Sequence, residues 1–267
     1  MLSLIIVIYN QEICLAKYSA FNSRIVFCDN STDAGIKSAN KISVENSSCE
    51  NFFYQDMHGN KGLPKAYNAA INVLNLGAND FIVILDQDTV IPSDFIEKYE
   101  NFISKNPVAD IVCPIVLDSV GVMSPSLSNG LKFKHIKSIE DVNQKNIAGY
   151  SFINSGMCIK GSVFEKVKYD ENLFLDFVDH DFILSVKKEN LKIAICFDVI
   201  FKQNFSGVTK NSYKQDFSRF SIYTNDAKVF YRKWFNKNYK FILLLRAIKL
   251  CILHKNISFL IFLIKGN

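Results

Sequence analysis

Residues 81–89 read Phe-Ile-Val-Ile-Leu-Asp-Gln-Asp-Thr. Asp86 and Asp88 come directly after a run of five apolar residues. Two carboxylates held this close raise each other's pKa unless a cation lies between them. A hard divalent ion, Mg²⁺ or Mn²⁺, that also carries substrate phosphates meets that need. A plain turn is the alternative, with Asp side chains bonding the next backbone N–H groups. The apolar run predicts a buried strand of a parallel sheet. Open α/β sheets hold their ligands at the carboxyl ends of such strands.

A second acidic stretch spans residues 168–181 and holds Asp170, Glu171, Asp176, Asp179 and Asp181, with His180 between the last two. An aspartate in a cleft can act as a general base. At a helix start it can equally serve as a cap. Neighbours on a helix point apart, so Asp179, His180 and Asp181 are not expected to converge on a metal. His180 is expected beside the site rather than in it, and His58, His135 and His254 show no ligand spacing. Lys61 and Lys65 flank Gly62 and Pro64, just before an alanine-rich segment. That pattern fits an ordinary loop-to-helix start, and also a helix N-terminus that favours anions.

Further strands are predicted at residues 2–8, 25–28, 51–55, 111–117, 152–159 and 193–201. Helices are predicted from Pro64 to Leu76, and over 92–103, 181–189 and 214–237. Buried strands separated by helices imply βαβ units and a doubly wound sheet. Gly156 inside the 152–159 run marks a bulge or the close approach of another molecule. Residues 119–149 read as a polar, irregular insertion, and 204–207 as a turn.

With 267 residues, 49% of them apolar, the chain can fold one large α/β domain with an appendage. We place the domain at residues 1–235 and a basic amphipathic helical segment at 236–267. A net charge of +5 without a long basic run or a zinc-knuckle spacing does not suggest nucleic acid. Seven scattered cysteines, with no Cys-x-x-Cys, suit reduced thiols in a cytoplasmic protein. The first ten residues lack the basic start of a secretory signal, and no apolar run reaches the ~20 residues that span a bilayer. From Phe241 onward, apolar runs are cut by Arg246, Lys249, Lys255 and Lys265. Helices of that kind lie on anionic membrane surfaces. Packing on the protein's own core, or on a second copy in a homodimer, is the other reading.

Taken in order, these segments resemble glycosyltransferase family 2, and within it bacterial rhamnosyltransferases of surface-polysaccharide (O-antigen or capsule) synthesis. The resemblance is carried by IIVIYN at 5–10, VFCDNST at 26–32, NKGLPKAYNAAI at 60–71, FIVILDQDT at 81–89, FINSGMCIKGSVF at 152–164 and YDENLFLDFVDHDF at 169–182, with a weaker match at 218–226. It implies the GT-A fold, a mostly parallel sheet flanked by helices. It implies inverting, metal-dependent transfer of a sugar, L-rhamnose from dTDP-rhamnose, to a saccharide or undecaprenyl-diphosphate-linked acceptor at the cytoplasmic membrane face. The alternatives are a UDP-hexose donor, a non-catalytic saccharide-binding relative, and a nucleotidyltransferase of similar fold. The resemblance puts Tyr9 and Asp29 around the base and ribose, and Asn60, Gly62 and Asn68 in the wall beside the donor. It puts Asp86 and Gln87 at the ribose and metal shell, and Asp88 on Mg²⁺ or Mn²⁺. Ser155, Gly156 and Asp181 fall near the sugar and acceptor, and Asp179 is the base. Three positions depart from the family pattern. Val178 replaces the first acid of a pair, Ser185 with Lys187 and Lys188 stands near a usual arginine, and Asn204 before Gly207 replaces a histidine.

Overall fold

The computed structural model describes residues 1–130, 132–203, 212–235 and 239–265. Four parallel strands form its first half: β1 (Leu2–Ile8), β2 (Ile25–Asp29), β3 (Phe52–Asp56) and β4 (Phe81–Asp86). They lie in the order β3-β2-β1-β4. In register, Ile8 pairs with Asp29 and Val7 with Asp86. The chain leaves β1 towards β2 on one side and later returns to β4 on the other. The carboxyl ends of β1 and β4 therefore flank a topological switch point, where such sheets open a crevice.

Alternation along these strands buries both faces of the sheet. Leu4, Ile6, Ile25, Phe27, Val83 and Leu85 pack with Phe95 and Tyr99 of α3 (Phe95–Lys105). Ile5, Val26, Ile82 and Ile84 pack with Ala66, Tyr67, Ala70 and Leu74 of α2 (Leu63–Leu74). The latter helix starts as its sequence suggests, with Gly62 as N-cap and Pro64 in the first turn, and ends on Asn75 in the left-handed region. Between β2 and β3 runs α1 (Ala34–Glu45), capped by Asp33.

The second half extends the sheet with β5 (Ile111–Leu117), β6 (Val122–Ser128), β7 (Phe133–Ile136), β8 (Tyr150–Ser151) and β9 (Cys158–Lys160). β9 joins β4 to β5, antiparallel to both. Residues 119–149 are thus not an irregular insertion: β6 and β7 within them continue the sheet. Serines hid β6, since Ser124 and Ser126 occupy buried positions where apolar side chains would have marked a strand. Likewise, only Cys158–Lys160 of the expected strand at 152–159 is a strand beyond the turn at 154–156.

α4 (Val178–Lys188) begins three residues earlier than expected, and β10 (Ile193–Lys202) pairs with β5 in parallel. α5 (Tyr213–Trp234) crosses to the main core through Phe230 and Tyr231. α6 (Lys240–His254) and α7 (Ser258–Lys265) fold back on α5, where Phe220 meets Ala247 and Phe259. Arg246 stacks 3.8 Å from the Tyr223 ring centre. The turn expected at 204–207, with Asn204 and Gly207, lies outside the described residues. Among the described residues, no helix is long and apolar enough to cross a membrane.

Candidate active site

A cleft of about 420 Å³ opens at the switch point. Tyr9 comes after β1, Asn30 after β2, and Asp86, Gln87 and Asp88 close β4, and all of them line it. Tyr9 extends the β1–β4 pairing, its backbone N–H donating to Gln87 Oε1 at 2.9 Å. The opposite wall is Asn60 and Gly62 ahead of α2, with Phe174 and Leu175. Asn60 Oδ1 accepts from Asn30 Nδ2 at 3.1 Å, which ties the two walls together. Gly62 adopts φ 86°, and a Cβ there would lie 2.7 Å from the Phe174 carbonyl oxygen. Only glycine fits such a conformation without strain.

Asp86 accepts from Gln203 Nε2 at 3.1 Å and bonds the buried Ser155 hydroxyl below it. Burial, and then the like charge of Asp88, push its carboxyl up to about 6. Asp88 itself is exposed to the cleft. Lys17 donates to the Gln87 carbonyl at 3.2 Å, close enough to feel the Asp88 charge. Among the described residues, no third histidine, thiol or carboxylate completes a ready-made metal cage. The donor set nonetheless fits a hard divalent ion. It offers two oxygen ligands, and their mutual repulsion would be relieved by a cation that completes its shell with phosphate oxygens and water.

Asp179 stands in the first turn of α4, where the helix dipole favours negative charge. Two residues earlier, Phe177 caps that helix from the left-handed region at φ 62°. Its ring is held by stacking on Phe230 at 4.8 Å. Asn154 Nδ2 donates to Asp179 Oδ1 at 2.9 Å. Burial, and then the Asp86 charge, push the Asp179 carboxyl up to about 7. The acids of the two stretches, remote in sequence, therefore share one electrostatic neighbourhood. The His180 ring is turned away, stacked on Phe133 at 3.4 Å and bonded to Ser151, and burial lowers its pKa to about 3.

Four expected site residues sit elsewhere. Asp29 is fully buried and accepts from the Ser31 backbone, Asn40 and Tyr54, so it braces the loop while Asn30 faces the cleft. Asn68 points along α2 to the Tyr169 carbonyl and Glu171, beside a separate cavity of about 350 Å³. Asp181 is buried against Lys233 and Trp234 of α5, a structural ion pair. Gly156 faces inward: a Cβ would come within 2.5 Å of the Phe201 ring.

Sequence alone did not single out Asn30, Asn154, Gln203 or the Phe174–Leu175 wall. Asn154 opens the Asn-Ser-Gly break in the apolar run at 152–159, a legible signal, and Gln203 offered none. Nor did the sequence point to the brace behind that wall. Asp226 of α5 accepts from the backbone N–H groups of Phe174, Leu175 and Asp176 at 2.7–2.9 Å. Arg219 makes a two-pronged ion pair with Asp176.

Comparison with known proteins agrees with this architecture. The family model described as glycosyl transferase family 2 matches residues 3–173. A curated relative, the dTDP-rhamnosyl transferase RfbF of Shigella flexneri, is 28% identical over 207 residues. That match covers 73% of this chain and 66% of the relative, so the chain spans just under two thirds of its length. Among solved structures, S. aureus TarS 1–349 in complex with UDP-GlcNAc superposes with a TM-score of 0.53 at 15% identity, covering 85% of this chain and 66% of that one. GalNAc-T7 with UDP, GalNAc and Mn²⁺ gives 0.57 at 14% identity, covering 79% and 45%. At such identities the superpositions speak for the fold alone, while the family model spans well over half of the sequence. A parallel sheet opening on paired aspartates and the match over residues 3–173 lead to one conclusion: the chain belongs to glycosyl transferase family 2.

Proposed function

We propose that the cleft binds a nucleoside diphosphate sugar and that Asp179 takes the proton from an acceptor hydroxyl as it attacks the anomeric carbon. The observation that supports this reading is the pair of adjacent residues Asn154 and Ser155, of which one bonds Asp179 and the other Asp86, so that the two acidic stretches are tied to one turn. Tyr9, Asn30 and Asn60 hold the nucleotide against the strand ends. Asp86 and Asp88 would hold Mg²⁺ or Mn²⁺, which when bound offsets charge on the departing diphosphate. With a carboxyl near 7, Asp179 is a strong enough base to assist near neutral pH, yet is largely ionised slightly above it. A single displacement needs no enzyme nucleophile and inverts the anomeric configuration.

The donor we favour is dTDP-rhamnose, supported by the likeness to the Shigella flexneri dTDP-rhamnosyl transferase. The acceptor is a saccharide carried on lipid, which accords with the basic, apolar C-terminal helices and with work at the cytoplasmic membrane face. The test is a panel of dTDP-rhamnose, UDP-glucose and UDP-galactose with Mn²⁺ or Mg²⁺ and a lipid-linked saccharide, with the product anomer read by NMR. Inverted transfer from dTDP-rhamnose is expected. Turnover with UDP-hexoses alone would overturn the donor assignment, and a retained anomer would overturn the single displacement.

A further inference from the structure

We propose that the turn Asn154-Ser155 is a gauge that sets the base against the leaving-group end of the cleft, with Asn154 as the positioning residue of Asp179. This rests on the reading of Asp179 as the base. Asn154 and Ser155 are both 2% exposed. Adjacent in the chain, they hold opposite ends of the proposed chemistry. Asn154 donates to Asp179 Oδ1 at 2.9 Å. Ser155 bonds the Asp86 carboxylate, and its hydroxyl lies 3.1 Å from Thr89 Oγ1.

The orientation of the Asn154 amide is dictated by its partners. An ionised carboxylate only accepts, so the NH₂ end must face Asp179. The carbonyl end accepts from the Tyr169 hydroxyl at 2.9 Å. Tyr169 is itself immobilised, stacked on Phe182 at 4.3 Å and packed on Tyr67 at 4.9 Å. The buried Tyr67 hydroxyl also meets Asn154. A one-way donor chain, Tyr169 to Asn154 to Asp179, thus holds carboxylate oxygen Oδ1 in place.

The turn has no room to slide. Its Gly156 N–H donates to the Ile84 carbonyl of β4 at 2.7 Å, and Tyr99 donates to the Gly156 carbonyl at 2.6 Å. Gly156 holds φ 80° against Phe201 and Pro114. The turn is therefore fixed to the strand that ends in Asp86, and through Asn154 it fixes Asp179 relative to that strand. The other charged or titratable groups around Asp179 are Asp86 on β4, Asp176 in the preceding loop, and the hydroxyls of Tyr67 and Tyr169. Asp176 is already neutralised by Arg219.

The experiment compares the full-length wild type with Asn154→Ala and Tyr169→Phe. It records kcat and KM against pH, and donor binding by calorimetry with the nucleoside diphosphate. Losing the amide donor disfavours the ionised base. The acid limb of kcat/KM is therefore expected to move up by about one pH unit in Asn154→Ala. A fall in kcat of roughly 10- to 100-fold should accompany it, with donor affinity within about twofold. Tyr169→Phe removes only a hydroxyl and should shift the limb the same way by less. It carries the test if Asn154→Ala fails to fold. Both variants keeping the wild-type limb and kcat within about twofold would reduce Asn154 to packing and overturn the proposal. Full transfer by Asp179→Asn would instead overturn the base assignment beneath it.

Discussion

Asp29, Asp179 and Asp181 are all withdrawn from solvent, Asp179 the least, and their partners separate structure from chemistry. Asp29 collects three donors and Asp181 a lysine and an indole, so both have their charge compensated. Asp179 has only neutral donors, the Asn154 side-chain amide and backbone N–H groups of Asn154 and of its own residue, and its carboxyl is pushed up to about 7. A shielded group left undercompensated near Asp86, which lines the cleft, marks a functional candidate. The same imbalance bears on stability. The unfolded carboxyl releases its proton near 4 and the folded one near 7, so the folded state binds more protons between those values. Stability falls as pH rises through that window, and the loss is complete above it. In metal-free protein at about pH 8, Asp179→Asn should therefore raise the thermal midpoint by a few degrees while lowering transfer by roughly a thousandfold or more. At about pH 4 the stabilisation should vanish. Thermal melts in EDTA at both pH values check this, and a lowered midpoint on the alkaline side would contradict the burial account.

At the scale of elements, the donor cleft depends on a helix that does not line it. The Phe174–Leu175 wall has no regular structure of its own, and its backbone donors are collected by Asp226 of α5. That carboxylate makes three charge-assisted hydrogen bonds at once, each of a kind worth more than a neutral one. Asp226→Ala should cost about 2–4 kcal/mol of stability, because it strands partly buried N–H groups. It should raise the donor KM more than it lowers kcat, since Phe174 and Leu175 line the proposed donor cleft. Denaturant melts and steady-state kinetics on one preparation would show this. An unchanged KM would mean that the wall is held by other contacts.

At the scale of the molecule, charge is divided unevenly. Through Asp226 the chain carries 22 Lys and Arg against 26 Asp and Glu, whereas residues 227–267 carry nine basic residues and no acid. α6 and α7 are pinned to α5 on one side through Leu243, Ala247 and Phe259. On the other side, α6 exposes Phe241, Leu244, Leu245, Ile248 and Ile252 in a single helical stripe, flanked by Lys240 and Lys249. We propose that this face lies on an anionic bilayer, with the lysines at the headgroups and the stripe below them. The full chain should sediment with vesicles rich in phosphatidylglycerol but not with pure phosphatidylcholine. Binding should weaken at about 0.5 M salt and be lost in the double variant Leu244→Asp, Ile248→Asp. A soluble dimer that the same double variant dissociates would instead assign the face to a second copy.

The first four strands and the place of the Asp86–Asp88 pair were written in the local sequence. Runs such as 2–8 and 81–85 are apolar enough to be buried on both faces, and the residues next in the chain must emerge at the strand's carboxyl end. β6 was not legible in this way, because serines fill its inward positions and erase the alternation by which a strand is read. Nor could local sequence separate Asp179 from Asp181. Both stand in the first turn of α4, and two residues along a helix is a rotation of about 200°, so they face opposite sides. Only packing decides which side meets the Lys233 and Trp234 of α5 and which meets Asn154. Composition names the candidate acids; the neighbours that neutralise one charge and leave the other available come from parts of the chain brought together only by folding.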